Sequence, residues 1–260
     1  GQYGVSAAEI PAFDANSKRL FVVNAQLGAV NVLSLADPAN PTKIGNLDAT
    51  AVLAGAEINS VAVFNGMVAV AIQAPIKTDP GRMALYRASD LSLISSVTIG
   101  SQPDMITFTP DGKTVLLANE GEPSDDYQTD PEGSISVIDI SNPASPVVRT
   151  AGFGAFTGQE AALRAKGVRI YGPGASASQD FEPEYIAVSA DGKTAWVTLQ
   201  ENNALAKINI ATATVTDILP LGYKDHGAAG NELDVSDNDN AINIKTWPGV
   251  HGMVEPDSIA

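Results

Sequence analysis

Short apolar runs separated by polar turns recur along the whole chain. The tetrapeptide Asp-Gly-Lys-Thr occurs at 111–114 and again at 191–194, each time directly before an apolar run, and Asn65-Gly66 precedes a third run. Asp-Gly and Asn-Gly favour hairpins, because the turn needs residues that accept a positive φ. The pattern therefore predicts antiparallel strand pairs joined at these turns.

The strand before each turn also repeats. Residues 102–107 (QPDMIT) match residues 182–187 (EPEYIA) and residues 255–260 (EPDSIA), and a third and a fourth strand-like run follow each pair. Four antiparallel strands in a unit of about 45 residues are typical of a propeller blade. The predicted fold class is therefore all-β, a β-propeller of four-stranded antiparallel blades.

The repeat also sets the predicted domain organisation. Blades are expected at about 8–48, 57–100, 102–153 and 182–221, with insertions at 155–178 and 222–254 and the start of another blade at 255–260. In the first insertion, Thr157-Gly158-Gln159-Glu160 predicts a capping box before a short helix that ends at Gly167. We expect part of a larger propeller, completed by remaining blades or a complementary fragment; a closed four-bladed ring is the alternative.

Composition narrows the classes of partner. The 260 residues carry a net charge of −15 and no cysteine. This charge repels nucleic acids and anionic lipids, and the lack of cysteine excludes disulfides and thiol-ligated metals. No uncharged apolar run is long enough to cross a bilayer, so membrane insertion is not expected. Gly1 is interpreted as the start of a mature or trimmed chain.

Propeller geometry places the candidate chemistry at one end of the blades. The first strand of a blade starts at the same edge where the second strand ends, so Asp104, Glu184 and Asp257 should lie near Glu120. Oxygen-only ligands suit hard cations, with Ca²⁺ as the first candidate and Mg²⁺ as an alternative. The competing interpretation is that these acids cap strand ends and bond backbone amides.

Two acid-rich stretches extend the set of candidate metal ligands. The first stretch, 119–132, holds six acids and no base, and its candidate ligands are Glu120, Glu122, Asp125, Asp126 and Asp130. The second stretch contributes Asp234, Asp237 and Asp239, but it lacks the glycine and distal glutamate of an EF-hand loop. Each stretch is either a cation-binding loop or a solvated acidic loop.

Catalytic candidates are few. Asp225 and His226 are adjacent and form a possible acid–base pair, although a lone surface histidine is the commoner situation. Glu120 and Glu184 are the other candidates, because they belong to the predicted metal site. The sequence contains no nucleophile elbow, phosphate-binding loop or dinucleotide fingerprint.

Three long segments resemble the bacterial choice-of-anchor I family, whose animal relatives include the mesenchyme-specific cell-surface glycoprotein. The segments are residues 103–127, 167–204 and 217–244. The resemblance implies an exported propeller protein held outside the cell by varied anchors, with further blades beyond residue 260. Some relatives carry an alkaline-phosphatase label, but no catalytic motif transfers it to residues of this chain.

Two functions follow as hypotheses. The first is a secreted or cell-surface propeller module, stabilised by a divalent cation, that acts in surface interaction or scaffolding with an extracellular protein or matrix partner. The second is a metal-dependent phosphohydrolase that works from the acidic edge with metal-bound water as nucleophile. The expected location is extracellular, periplasmic or at the cell surface.

Overall fold

The computed structural model describes residues 8–260, in which four four-stranded antiparallel sheets follow one another along the chain. Blade 1 contains β1 (Pro11–Asp14), β2 (Arg19–Asn24), β3 (Ala29–Ser34) and β4 (Thr42–Asp48). Blade 2 contains β5 (Glu57–Phe64), β6 (Met67–Gln73), β7 (Pro80–Arg87) and β8 (Leu93–Ser101). Blade 3 contains β9 (Pro103–Phe108), β10 (Thr114–Asn119), β11 (Ser134–Asp139) and β12 (Val147–Gly152). Blade 4 contains β13 (Pro183–Val188), β14 (Thr194–Leu199), β15 (Ala204–Asn209) and β16 (Thr214–Pro220). The all-β fold class of four-stranded antiparallel blades is confirmed; the interpretation of Gly1 lies outside the described residues.

The repeated Asp-Gly turns join the first and second strands of blades 3 and 4. In blade 3, Gly112 has φ +67°, and the Asp111 carboxylate accepts hydrogen bonds from the Thr109 hydroxyl at 2.7 Å and from the Lys113 backbone amide at 3.1 Å. In blade 4, Asp191 accepts the equivalent bonds, and Gly192 has φ +69°. These local bonds explain why the same tetrapeptide produces the same turn twice.

Three hydrophobic cores hold the blades together, one between each pair of successive sheets. Phe21 and Val70 pack between blades 1 and 2, Met83 and Leu117 between blades 2 and 3. The third core, between blades 3 and 4, includes Phe153, which meets Phe181 edge-on with ring centroids 5.2 Å apart. Within residues 8–260, no core of this kind joins blade 1 to blade 4, so the four sheets form an open arc.

The inner blades are covered on both faces, whereas the outer blades are not. Residues 68–72 of β6 and 134–138 of β11 are buried without interruption. Along β2 and β15, by contrast, buried and half-buried side chains alternate. In β15, for example, Leu205 and Lys207 are half-buried and their neighbours are buried. Because side chains of a strand point alternately to its two faces, blades 1 and 4 each retain one uncovered face.

The segment between blades 3 and 4 contains two α-helices, α1 (Glu160–Ala165) and α2 (Ala177–Asp180). Helix α1 forms where it was expected and Gly167 follows it with φ +100°, but the capping-box prediction at Thr157 is wrong. The α1 N-cap is Gln159 and makes no side-chain cap bond; the capping box instead joins Ser176 and Gln179 at α2.

The segment after blade 4 forms a two-stranded hairpin of β17 (Tyr223–Asp225) and β18 (His251–Met253). Residues 255–260 follow the hairpin and carry no strand. Their assignment to a fifth blade stays a prediction. Within the described part of the chain, the helices are too short and too polar to cross a lipid bilayer.

Candidate functional site

The first strands of blades 3 and 4 start where the second strands of the same blades end. Pro103 is paired with Asn119, and Pro183 with Leu199, so Asp104 and Glu184 lie near the residues that follow β10 and β14. We call Asp104, Glu120, Glu184 and Asp257 the acidic mouth. Blades 3 and 4 both contribute to it, as the repeat predicts.

The acidic mouth concentrates like charges in a partly buried place. Burial, followed by the charges of Asp104 and Glu122, raises the pKa of Glu120 to about 9. Burial and then the Glu201 charge raise the pKa of Glu184 to about 8. These carboxylates are therefore close enough to act on one another, and each is costly to ionise without a compensating positive charge.

Asp104 and Asp257 complete this electrostatic group. Burial, then the charge of Asp257, raises the pKa of Asp104 to about 6. Asp257 itself is exposed, and it also contributes to the raised pKa of Glu184. The charges of all four predicted mouth residues are thus coupled in the folded chain.

Two amide side chains face the mouth carboxylates. Gln102 is only 9% exposed, and its Nε2 donates to Glu120 Oε2 at 2.6 Å, while its Oε1 has no hydrogen-bond donor. With its amide nitrogen turned toward Glu184, Gln200 donates to both carboxylate oxygens at 2.6 and 2.8 Å. The Gln102 carbonyl is a buried acceptor that a cation in the mouth would satisfy.

The acidic stretch 119–132 divides into different environments. Lys77 Nζ lies 2.8 Å from Glu122 Oε2 and 3.9 Å from the exposed Asp125. Burial opposes ionisation of Glu122, but hydrogen bonds from Lys77 and Gln102 prevail and lower its pKa. The Asp126 carboxylate accepts local hydrogen bonds in an exposed turn, so its contacts are those of a structural acid.

A pocket of about 490 Å³ adjoins the acidic mouth. It lies between the 122–130 loop and the segment that leads through α2 into β13. We call it the side pocket, defined by its lining residues Lys77, Glu122, Pro123, Ser124, Asp125, Tyr127, Asp130, Tyr171, Gly172, Pro173, Ala175, Gln179, Asp180, Glu182 and Glu201. Asp130 lies here, away from the acidic mouth.

The structure does not pair Asp225 with His226. The His226 Nδ1 lies 2.7 Å from the Asn231 carbonyl oxygen, and Asp225 Oδ1 accepts from the Gly227 backbone amide at 2.8 Å. Both side chains therefore serve the local geometry of the segment between β17 and β18. As a catalytic pair they would need a different side-chain arrangement.

The second acidic stretch is a set of locally bonded acids. Asp234 accepts from the backbone amides of Ser236 and Asn243, and Asp239 accepts from Ala241. Asp237 is exposed. These contacts explain the alternating acids as turn-forming residues, and their role as metal ligands stays a prediction.

The chemical type of the ligands in the acidic mouth suits a hard cation, but the carboxylates are too far apart in this structure to surround one. All the mouth groups offer oxygen, which Ca²⁺ and Mg²⁺ prefer. Among residues 8–260, however, no three carboxylate or histidine side chains surround a common point closely enough to hold one metal ion. A metal would need the mouth carboxylates to rotate inward, with Gln102 Oε1 as an amide ligand.

Sequence reasoning left Glu182 out of the candidate residues. It precedes Pro183 as Gln102 precedes Pro103, so the repeat contained the signal. Burial and the Glu201 charge raise the pKa of Glu182 to about 7. Glu201 follows β14 in the wall of the side pocket, and its charge also acts on Glu184.

Comparison with known proteins identifies the family. The choice-of-anchor I domain family matches residues 9–260. No curated protein matches this sequence.

Similar solved structures support the architecture. A functionally unknown protein from Desulfotomaculum acetoxidans DSM 771 is 10% identical with a TM-score of 0.56, over 85% of this chain and 58% of that one. The Cps50 (Swd1) β-propeller domain of Myceliophteria thermophila is 12% identical with a TM-score of 0.53, over 85% and 57%. A putative 6-phosphogluconolactonase from Bacteroides uniformis ATCC 8492 is also 12% identical with a TM-score of 0.53, over 81% and 53%. The matched region covers little more than half of each of these structures, and the likeness concerns the fold alone.

Proposed function

Because the chain belongs to the choice-of-anchor I domain family, which implies an exported or cell-surface protein, we propose that it is a propeller module that binds a divalent cation at its acidic mouth and acts in surface interaction or scaffolding. We expect the protein to be located outside the cell, in the periplasm or at the cell surface. Ca²⁺ is the first candidate cation and Mg²⁺ the alternative.

One observation carries this proposal: burial, and then the charges of neighbouring acids, raise the pKa of carboxylates from two blades at a single edge of the propeller. Ionised together, they repel unless a positive charge enters. The nearby base, Lys77, bonds to Glu122 instead of to the mouth residues. A cation held by Glu120, Glu184 and Asp104, with the orphan Gln102 carbonyl, would relieve this repulsion and join blade 3 to blade 4.

The partner proposal rests on the uncovered faces of blades 1 and 4. Leu20, Val22 and Leu33 are half-buried on one outer face, and Trp196 and Leu205 on the other. Faces of this kind are covered in blades 2 and 3 by a neighbouring sheet. We therefore expect remaining blades of the same protein, or a complementary fragment, to cover them, and an extracellular protein or matrix partner to contact the assembled module.

Thermal unfolding in chelator and in millimolar Ca²⁺ tests the cation proposal. A ligand that binds only the folded chain stabilises it by roughly 2.7 kcal/mol at a hundredfold excess over its Kd. We expect Ca²⁺ to raise the unfolding midpoint and the Glu120→Gln variant to lose most of this rise. An unchanged midpoint would contradict the proposal. The matched control is Asp217→Asn, which removes an exposed acid distant in sequence from the mouth residues.

The phosphohydrolase alternative keeps one supporting observation. Carboxyl groups whose pKa lies near or above neutrality, as at Glu184 and Glu182, are typical of acid–base sites. A phosphomonoester assay with and without divalent metal tests it. Activity that depends on metal and disappears in Glu184→Gln would support the alternative. Inactivity with several metals would contradict it and favour the interaction module.

A further inference from the structure

The side pocket combines negative charge with aromatic surface. Six carboxylates from three parts of the chain line a cavity of about 490 Å³, and Lys77 is the single basic lining residue among residues 8–260. Tyr127 is 69% exposed and Tyr171 is 47% exposed, so both rings are accessible at the wall. The composition of the pocket is unsuited to an anion and offers both charge and π-surface to a cation.

Two side chains of the protein already place nitrogen cations against these walls. The Lys77 ammonium lies 2.8 Å from Glu122, and the Arg169 guanidinium carbon lies 3.8 Å from the centroid of the Tyr171 ring. An ammonium and a guanidinium group are therefore both accommodated by the residues that line the pocket. Neither of them neutralises Asp130, Glu182 or Glu201 through an ion pair.

Several acceptors beside the pocket lack a donor. Asp130 Oδ1 and Glu201 Oε2 are shielded from solvent and have no hydrogen-bond partner. Gln102 is nine-tenths buried, donates to Glu120 Oε2 at 2.6 Å, lies beside Glu122 of the pocket wall, and has an equally unpartnered Oε1. Orphaned buried acceptors of this kind are rare in folded proteins and call for donors. A ligand with several N–H groups would supply them.

We propose that the side pocket binds an organic cation through its ammonium or guanidinium groups. The pocket carboxylates come from three parts of the chain and are spread along its wall. A multi-donor organic cation spans this spacing, packs against Tyr127 and Tyr171, and pairs with Glu182 and Glu201. The side pocket adjoins the acidic mouth, and its Glu182 and Glu201 also act on Glu184 of the mouth.

Calorimetric titration with two probes tests the proposal and distinguishes the source of the cation. Spermidine represents a free polyamine, and a hexa-arginine peptide represents basic side chains of a partner protein. We expect saturable binding of at least one probe, weakened about tenfold or more in Glu182→Gln/Glu201→Gln, which corresponds to about 1.4 kcal/mol. The matched control Asp90→Asn/Asp217→Asn removes the same charge from exposed sites outside the pocket and should change the affinity less than about twofold.

A second variant keeps the test specific for the pocket walls. Tyr127→Ala leaves the charge unchanged and removes an exposed ring, and we expect an affinity about threefold lower, as for loss of one cation–π contact. Equal weakening in the pocket and control double variants would show nonspecific attraction and overturn the proposal. Absence of binding by both probes, or full affinity in Glu182→Gln/Glu201→Gln, would also overturn it.

Discussion

At the residue scale, the protonation state of the mouth carboxyls controls both cation binding and stability. Burial raises the pKa of Glu184 to about 8, whereas an unfolded glutamate is ionised from weakly acidic pH upward. Near neutral pH without a cation, folding therefore requires this group to take up a proton or to remain charged among other acids. The same property that makes the mouth a cation site makes it locally destabilising when no cation is bound.

Glu184→Gln should stabilise the protein at about pH 8 in chelator, because the amide keeps the shape of the neutral acid and removes the cost of protonation. If the gain is about 1 kcal/mol, the unfolding midpoint rises by roughly 2–4 °C. At about pH 5 the gain should nearly vanish, since the wild-type group is then neutral in the folded chain. Circular dichroism melts at the two pH values measure this. A variant that is less stable at both would show that Glu184 acts as an ionised structural acid.

At the element scale, the repeated turns show what the sequence predicts and what it does not. The Asp-Gly turns at 111–112 and 191–192 were predictable because Asp111 and Asp191 bond only to near neighbours. The capping box predicted at Thr157 does not form. The Thr157 hydroxyl bonds to Ser178, and the Glu160 carboxylate accepts a hydrogen bond from the Ala177 backbone amide. A motif of four residues cannot predict a competing hydrogen-bond partner that lies some twenty residues away in the sequence.

The two turn glycines provide a matched pair of substitutions. Gly112 and Gly192 have nearly equal positive φ, so alanine costs about 1–2 kcal/mol at each from backbone strain alone. A Cβ at Gly112 would also collide with the Phe64 ring, whereas at Gly192 the nearest atom lies 3.8 Å away. We expect Gly112→Ala to be more destabilising than Gly192→Ala by about 1–3 kcal/mol of overpacking. Chemical denaturation measures the difference, and equal losses would contradict the packing of blade 2 against blade 3.

At the scale of the whole molecule, the stability of the four blades depends on the charge state of the acidic mouth. The repeat predicted the four blades and the convergence of Asp104, Glu120 and Glu184, since strand order determines which ends meet. It did not predict the side pocket, because this depends on how the 155–178 segment folds back on the 122–130 loop. Insertions lack the repeat, and their long-range contacts have no signature in sequence.

The pH dependence of unfolding follows from the raised pKa values of Asp104, Glu120, Glu182 and Glu184, which lie at about 6, 9, 7 and 8. Between the unfolded pKa of about 4 and these values, the folded chain binds more protons than the unfolded chain. Stability without divalent cations should therefore fall as the pH rises from about 5 to 9. Unfolding midpoints across this range measure the slope, and a rising midpoint would contradict the coupling of these carboxyls.

Trp196 reports whether further blades cover the outer face of blade 4. It is half-buried there, and the protein contains a second tryptophan, Trp247, so Trp247→Phe leaves Trp196 as the single tryptophan. Covering an apolar face removes water from the indole, and the emission maximum of Trp196 should shift to shorter wavelength when complementary blades are present. An unchanged maximum would contradict coverage of that face.

Direct titration of this protein with Ca²⁺ by calorimetry tests the central claim that the acidic mouth binds a divalent cation. We expect saturable binding that becomes at least about tenfold weaker in Glu120→Gln/Glu184→Gln and stays unchanged in Asp90→Asn/Asp217→Asn. No saturable binding to the wild-type chain, or the same affinity in both double variants, would contradict it.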